Sequence, residues 1–548
     1  MDVSKNLESK IPKEVSHVTD TLQKAGFQAY LVGGCVRDLL MDREPKDWDV
    51  TTNAKPDQII KLFEKTVYEN TFGTVGVCVP RETGEESVSQ ETSEGDVNRE
   101  TSEYLIVEVT PYRIEAKYSD FRHPDEVKFS EKLSDDLKRR DFTINAMAYQ
   151  NNSVTDIFGG LKDIKDKTLR AVGKADDRFQ EDALRMLRAV RFSCQLDFSI
   201  SHETMESILK NSELIKKISG ERIRDEFEKI IMSKNPAAGI VMLQKFGLLK
   251  NIIPELEEGM GCEQLGEHIY DVWDHLLHAL QHAADKEWPL EIRLAALFHD
   301  IGKPKTRRLA GRQNVLERTL GRSGNDGQRK FSTENFRGES ENILPPKSKK
   351  KYTFYGHEVV GARMAKNIME RLKFPKKETE LVEKLVRNHM FFSDTELITL
   401  SAVRRIIAKV GVENIWLLMN IRECDRVGMK KKEAPYRLRK YFAMIEEALR
   451  DPISVGQLKI DGNFLMKELG IKPGPRMGWM LNALLEVVLE NPEKNTVEAL
   501  SELVKSFESL SDDELKTLGD KGKEKKEELE EEEVVKLHQK HGVKKEKS

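Results

Sequence analysis

A change of period along the chain constrains its fold more than any other feature. Up to about residue 160, apolar residues come in short runs and in alternation. "FQAYLVGG" reads as a buried strand ending in glycines, and "YLIVEVTPYRIE" as a longer strand with Ile106, Glu108 and Thr110 on one side. From Asp176 onward the spacing is helical, as in "EDALRMLRAVRF". The expected fold class is α+β, a head with a mixed β-sheet followed by all-helical regions. Because 548 residues exceed what one core organises, several domains are expected.

Composition removes some functions and leaves others. Hydrophobic residues at 38% and charged residues at 34% suit a helix-rich protein with ample apolar surface to bury. The net charge of -4 neither demands nor forbids a nucleic-acid partner, since both signs are abundant and can segregate by face. Five cysteines, Cys35, Cys78, Cys194, Cys262 and Cys424, never form a CxxC pair, which argues against a disulfide framework or a zinc knuckle. No secretory signal and no membrane-length apolar run is visible, so a cytosolic location without membrane contact is expected. Two segments read as insertions: the acidic, polar stretch at about 81–103 and the basic stretch at about 305–351.

The chemistry starts at "KDWDV". On a strand, Asp47 and Asp49 present both carboxylates to one side, and a divalent cation removes their mutual repulsion. A charged surface strand is the alternative. Upstream, Gly33 and Gly34 end a strand and lead into "VRDLL", where backbone amides suit a phosphate. Phosphate and magnesium together suggest nucleotidyl transfer. Glu108 lies centrally in the next long strand, either as a third ligand or as a solvated edge residue. "RRDFTINAMAY" sets Arg140, Asp141 and Asn145 beside an apolar run read as helical; arginine suits phosphate oxygens, and Asp141 or Asn145 a sugar hydroxyl.

"LVGGCVRDLL…KDWDV", "FGTVGV", "RRDFTINAMAY", "DIFGGLKDIKDKTLRAVG", "RFQEDALRMLRAVRF" and "ERIRDEFEKI", in this order and spacing, resemble the motif series of class II tRNA nucleotidyltransferases. These are the CCA-adding enzymes and their bacterial poly(A) polymerase relatives. The resemblance runs from about Phe27 to Leu256 and resumes near Ile460. It implies addition of C, C and A to the 3' end of tRNA from CTP and ATP with Mg2+. Asp47 and Asp49 take the place of the catalytic carboxylates, with Glu108 a looser match. Gly33, Gly34, Arg37, Arg140, Asp141, Asn145, Asp182, Arg185 and Arg188 fall at nucleotide-binding positions. Read on one helix, Asp182 and Arg185 share a face. A carboxylate there accepts from the amino group of cytosine or adenine and leaves uracil and guanine unpaired, a mismatch worth roughly 10⁴-fold or more. A surface i,i+3 salt bridge is the alternative. Arg191, Glu221, Arg222 and Arg224 read as support for that helix. Poly(A), CC-adding and A-adding relatives share every one of these motifs.

Between residues 267 and 429, "HIYDVWDHLLHAL", "RLAALFHDIGKP", "FYGHEVVGARMA", "VRNHMFF" and "IRECDRVGM" resemble the HD phosphohydrolase superfamily. The resemblance implies His275, His299, Asp300, His357, His389 and Asp425 as ligands of a divalent transition metal and hydrolysis of a phosphoester. His278 and His282 read as core residues. A protein acting mainly as such a hydrolase is the reading from a different class. The expected domains are a nucleotidyltransferase head (1–168), a helical neck and body (169–262), an HD domain (263–450), a tRNA-binding helical region (451–512) and a charged tail (513–548).

Overall fold

A computed structural model describes residues 7–68, 73–81, 103–115, 127–264, 268–309, 352–390, 398–429 and 435–520. Apart from their ends, both expected insertions lie outside the described residues, as does the tail beyond residue 520. The chain divides into two compact units, Met1–Pro254 and Glu255–Ser548.

The first unit opens with α1 (Lys13–Lys24), whose Val15, Val18 and Leu22 fall on one face and are buried, and α2 (Gly34–Leu40) starts at the glycine pair. Seven strands follow: β1 (Ala29–Val32), β2 (Trp48–Thr52), β3 (Thr66–Tyr68), β4 (Val75–Pro80), β5 (Tyr104–Pro111), β6 (Met147–Gln150) and β7 (Ser153–Asp156). They form one sheet in the order β3-β4-β5-β2-β1-β6-β7. The sheet is mixed, because β2 and β5 run parallel while the other neighbours are antiparallel. Leu31, Val50, Val75, Val77, Val107 and Val109 bury one face against Val15, Val18 and Leu22 of α1. On the other face, Val32 and Ala148 pack with Leu137 of α3 (Leu133–Lys138).

The sequence reading misjudged one segment here. The apolar run after "RRDFT" is not helical: a single 3-10 turn at Thr143–Asn145 leads directly into β6. Four residues between β1 and β7 find their hydrogen bonds in the sheet, and tertiary pairing overrides the helical propensity of Ala and Met.

Helices complete the unit, including α4 (Ala175–Glu181), α5 (Leu184–Leu196) and α6 (Gly220–Ile231). The second unit contributes α7 (Val272–Asp285), α8 (Leu290–Phe298), α9 (His357–Arg371), α10 (Lys376–Asn388) and α11 (Ile415–Asp425). α7 packs on α8, α9 on α10, and α11 on both α7 and α8. "GIKPGP" separates a helix at Gly462–Lys467 from α12 (Pro475–Glu490), with Gly470 at φ +70. The helical region continues past residue 512: Asp512–Asp520 is a helix whose Leu515 is buried in the C-terminal core. Among the described residues, no helix is long and apolar enough to cross a membrane.

Candidate active site and second metal centre

In the head, strand register does the placing. Asp49 of β2 is the direct partner of Glu108 of β5, so the two side chains leave the sheet on the same side. That side is opposite the core, since Val50, Val107 and Val109 turn inward. Asp47 precedes β2 by one residue and is exposed, as is Glu108, while Asp49 is half-buried. Burial raises the Asp49 carboxyl above its usual range; Arg140 opposes the shift, and the charges of Asp47 and Asp136 add to it. The three carboxylates are not among the described groups whose ligand atoms close to within 4.8 Å.

Gly33 shapes the wall beside Asp49. Its φ is +82, and a Cβ there would meet Arg140 Nη1 at 2.9 Å and Asp49 Oδ2 at 3.2 Å. Gly34 is different: a Cβ would meet only Arg37 Nη2, at 3.7 Å, an ordinary contact. The glycine requirement therefore rests on Gly33.

Four of the expected nucleotide-binding residues, Arg37, Asp141, Asn145 and Arg188, form one network. Arg37 Nη1 donates to Asn145 Oδ1 at 2.7 Å, and Asn145 donates to Asp141 Oδ1 at 3.3 Å. Arg188 donates to Asp141 Oδ2 through Nε at 2.7 Å and Nη2 at 2.5 Å. Burial works against the Asp141 charge, but Arg188 outweighs it and holds the carboxyl at about 2. The guanidinium carbons of Arg37, Arg188 and Arg191 lie 5.2, 5.3 and 4.2 Å from the centroid of the Phe192 ring.

Asp182 and Arg185 do not share a helix face. The helical run breaks at Asp182, which is extended (φ -142, ψ 104) and ends α4. Its Oδ1 accepts from Leu184 N, two residues on, at 3.1 Å, and its Oδ2 accepts from Arg222 Nη2 at 2.8 Å. Arg185 pairs instead with Glu181 at 2.8 Å and donates to Arg139 O at 3.0 Å. Of the supporting residues, Arg222 thus holds Asp182 directly, Arg191 pairs with Glu226 at 3.1 Å, and Arg224 pairs with Asp225 and Glu228.

Three anchoring acids escaped the sequence reading. Asp136, fully buried, accepts from Arg139 and Arg140; Glu181 holds Arg185; Glu226 faces Arg188 and Arg191. The first two stand three or four positions from their arginines, a signal that was available. Glu226 reaches across from another helix and carries no local signal.

In the second unit the six expected ligands converge. His275, His299, Asp300 and Asp425 form one group of potential ligand atoms within 4.8 Å of one another, and Asp300, His357 and His389 a second. Asp300 Oδ2 lies 3.5 Å from His275 Nε2 and 3.4 Å from His299 Nε2, while Oδ1 lies 3.2 Å from His357 Nε2 and 3.7 Å from His389 Nε2. The carboxylate therefore faces both groups.

The histidine hydrogen bonds fix which nitrogen faces the centre. Nδ1 lies against a backbone carbonyl in all four: Val427 for His275 (3.1 Å), Ala296 for His299 (2.8 Å), Phe354 for His357 (2.8 Å) and Val386 for His389 (2.6 Å). A carbonyl only accepts, so Nδ1 carries hydrogen and Nε2 turns inward. Among the described residues, Asp300 Oδ1, His357 Nε2 and His389 Nε2 are buried without a hydrogen-bond partner. His275 Nε2 and His299 Nε2 face each other at 3.0 Å. Burial opposes charge on His299, yet Asp300 and Asp425 outweigh it and push its pKa up to about 10. Orphaned acceptors beside two carboxylates suit a cation-binding cavity, and this donor set fits divalent transition metals. His278 and His282 lie apart from these groups: His278 stacks on Tyr270, and His282 bonds Glu423 at 2.9 Å.

Comparison with known proteins follows the same order along the chain. Residues 29–170 match the family model "Poly A polymerase head domain", and residues 197–260 match "Probable RNA and SrmB- binding site of polymerase A". Residues 353–504 match the model for domain 2 of tRNA nucleotidyltransferases; none of the three is a phosphohydrolase model. A CCA-adding enzyme of Lactobacillus delbrueckii is 45% identical over 220 residues, covering 40% of this chain and 50% of its own. That of Bacillus subtilis is 47% identical over 215 residues, 39% of this chain and 48% of its own. The chain spans about half the length of these curated relatives. The fold is shared with the Bacillus stearothermophilus CCA-adding enzyme solved with CTP, at TM-score 0.58 and 24% identity over 90% of this chain and 98% of that one. The head of this chain, residues 29–170, is thus similar to the poly A polymerase head-domain family.

Proposed function

We propose that the chain is a CCA-adding tRNA nucleotidyltransferase that builds C, C and A onto the 3' end of tRNA from CTP and ATP. The observation that carries this is the pairing of Asp49 with Glu108 on the open side of the head sheet, with Gly33 and Arg140 closing around Asp49. The similarity to proteins named CCA-adding enzymes supports it. Asp47 and Asp49, with Glu108 beside them, would hold Mg2+, which supplies charge neutralisation at the triphosphate and the attacking hydroxyl. Arg37 and Arg188, held by Asn145 and Asp141, and Arg140, held by Asp136 beside Gly33, would receive phosphate and ribose oxygens. Asp182 is fixed by Arg222 and Leu184 N in one orientation, so its remaining lone pairs accept from the amino group of cytosine or adenine. Arg185, braced by Glu181 and the Arg139 carbonyl, donates to the neighbouring ring acceptor.

The test uses purified protein, Mg2+ and a tRNA lacking its 3' CCA, given CTP, ATP or both, with products resolved at single-nucleotide length. Expected are two additions with CTP and three with both. A ladder of A residues would move the function to poly(A) synthesis, an activity the head-domain match also fits. A halt after CC, or a single A, would assign one of the partial activities.

For the second unit the orphaned acceptors favour a metal centre of HD type that hydrolyses a phosphoester. His275, His299, Asp300, His357, His389 and Asp425 would hold the metal, which supplies Lewis acidity to a phosphoryl oxygen. Opening of a 2',3'-cyclic phosphate to a monophosphate, or release of phosphate from a 3'-phosphate RNA end, with added Mn2+ or Ni2+ tests this; neither reaction with either metal contradicts it.

A further inference from the structure

Lys303 stands at the second centre with no role assigned by the ligand set. It follows Asp300 by three positions in "HDIGK", is 6% exposed, and places Nζ 2.5 Å from Asp300 Oδ2 and 2.6 Å from Gln264 Oε1. The same Oδ2 is the oxygen that faces His275 and His299. On the opposite side, Oδ1 and the Nε2 atoms of His357 and His389 have no hydrogen-bond partner among the described residues. The two halves of the centre are thus unequal: an ammonium already neutralises Oδ2, while Oδ1 faces only acceptors.

A divalent ion bound through Oδ2 would share that oxygen with the Lys303 ammonium, and two cations a few ångströms apart in a buried cavity repel strongly. We propose that Lys303 is a built-in competitor for the metal at the Oδ2 half of the centre, so that loading there requires its ammonium to withdraw from Asp300 toward Gln264. The Oδ1 half, lined by His357 and His389, loads without displacing any cation. Metal occupancy is therefore graded between the halves by one lysine. This rests on the metal-binding role proposed for the six ligands.

The test is a calorimetric titration of the metal-stripped full chain with Mn2+, alongside Mn2+ paramagnetic resonance, for wild type, Lys303→Met and His275→Ala. The step lost in His275→Ala identifies the Oδ2 half and separates it from uptake by the head. That step should tighten at least tenfold in Lys303→Met. If Lys303→Met fails to fold, Lys303→Gln, whose amide still donates to Asp300, should tighten the same step. Unchanged or weaker affinity at that step would overturn the competitor role. If wild type shows no Mn2+ step that His275→Ala removes, the metal centre itself would instead be overturned.

Discussion

At the scale of single residues, both sites are organised by charges that hold other charges in place. Asp141 makes the point most sharply. Its carboxyl is held at about 2 against a usual 3.8, and a carboxyl whose pKa falls on folding stabilises the folded chain wherever it is ionised. That stabilisation is full above about pH 4 and is lost as the pH drops through about 2. Asp141→Asn is therefore expected to lower stability by about 2 kcal/mol at pH 7 and to flatten the acid limb of a denaturation profile between about pH 4 and 2. An unaltered acid limb would contradict the Arg188 pairing. Under the proposed function, Arg222 would act on base choice in the same indirect way, through Asp182. Arg222→Ala removes the 2.8 Å bond that orients Asp182 and should reduce discrimination of CTP over UTP by about tenfold to a hundredfold, read as a ratio of kcat/KM values. An unchanged ratio would mean that Asp182 is oriented by its bond to Leu184 N alone. The pairing with Arg222 was not legible in the sequence, because 40 residues separate Arg222 from Asp182.

At the scale of elements, close approaches decide where functional side chains end up. A Cβ on Gly302 would lie 2.3 Å from His357 O and 2.6 Å from Gly361 N, so the segment after α8 touches the start of α9 backbone to backbone. That contact brings His299 and Asp300 to His357. Gly302→Ala should force the two apart, with a loss of about 2 kcal/mol or more in stability and weaker Mn2+ binding in the same titration. Retained stability and affinity would show that the elements can separate without consequence. Much at this scale was readable beforehand. The alternation of Ile106, Glu108 and Thr110 describes β5 as observed, and the six residues that converge in the second unit come from short motifs that each occupy one helix end. What misled was continuity. "EDALRMLRAVRF" has unbroken helical spacing, but Asp182 bonds Leu184 N with its side chain and leaves the helix to do so. "AMAY" is too short for periodicity to separate strand from helix, and only its sheet partners β1 and β7 decide.

At the scale of the whole molecule, each compact unit contains one complete constellation. The head carboxylates lie in Met1–Pro254 and the histidine-aspartate centre in Glu255–Ser548. The chemistry assigned to each draws on residues of its own unit only, so the two should fail independently. The most direct test of the account compares nucleotide addition to a CCA-less tRNA by wild type, Asp49→Asn and His299→Ala at saturating CTP and ATP. The account predicts a loss of about a thousandfold or more in Asp49→Asn, which keeps the shape of the site but removes a charged ligand, and a rate within about twofold of wild type in His299→Ala. Addition that survives in Asp49→Asn, or collapses in His299→Ala, would contradict the placement of nucleotidyl transfer in the head.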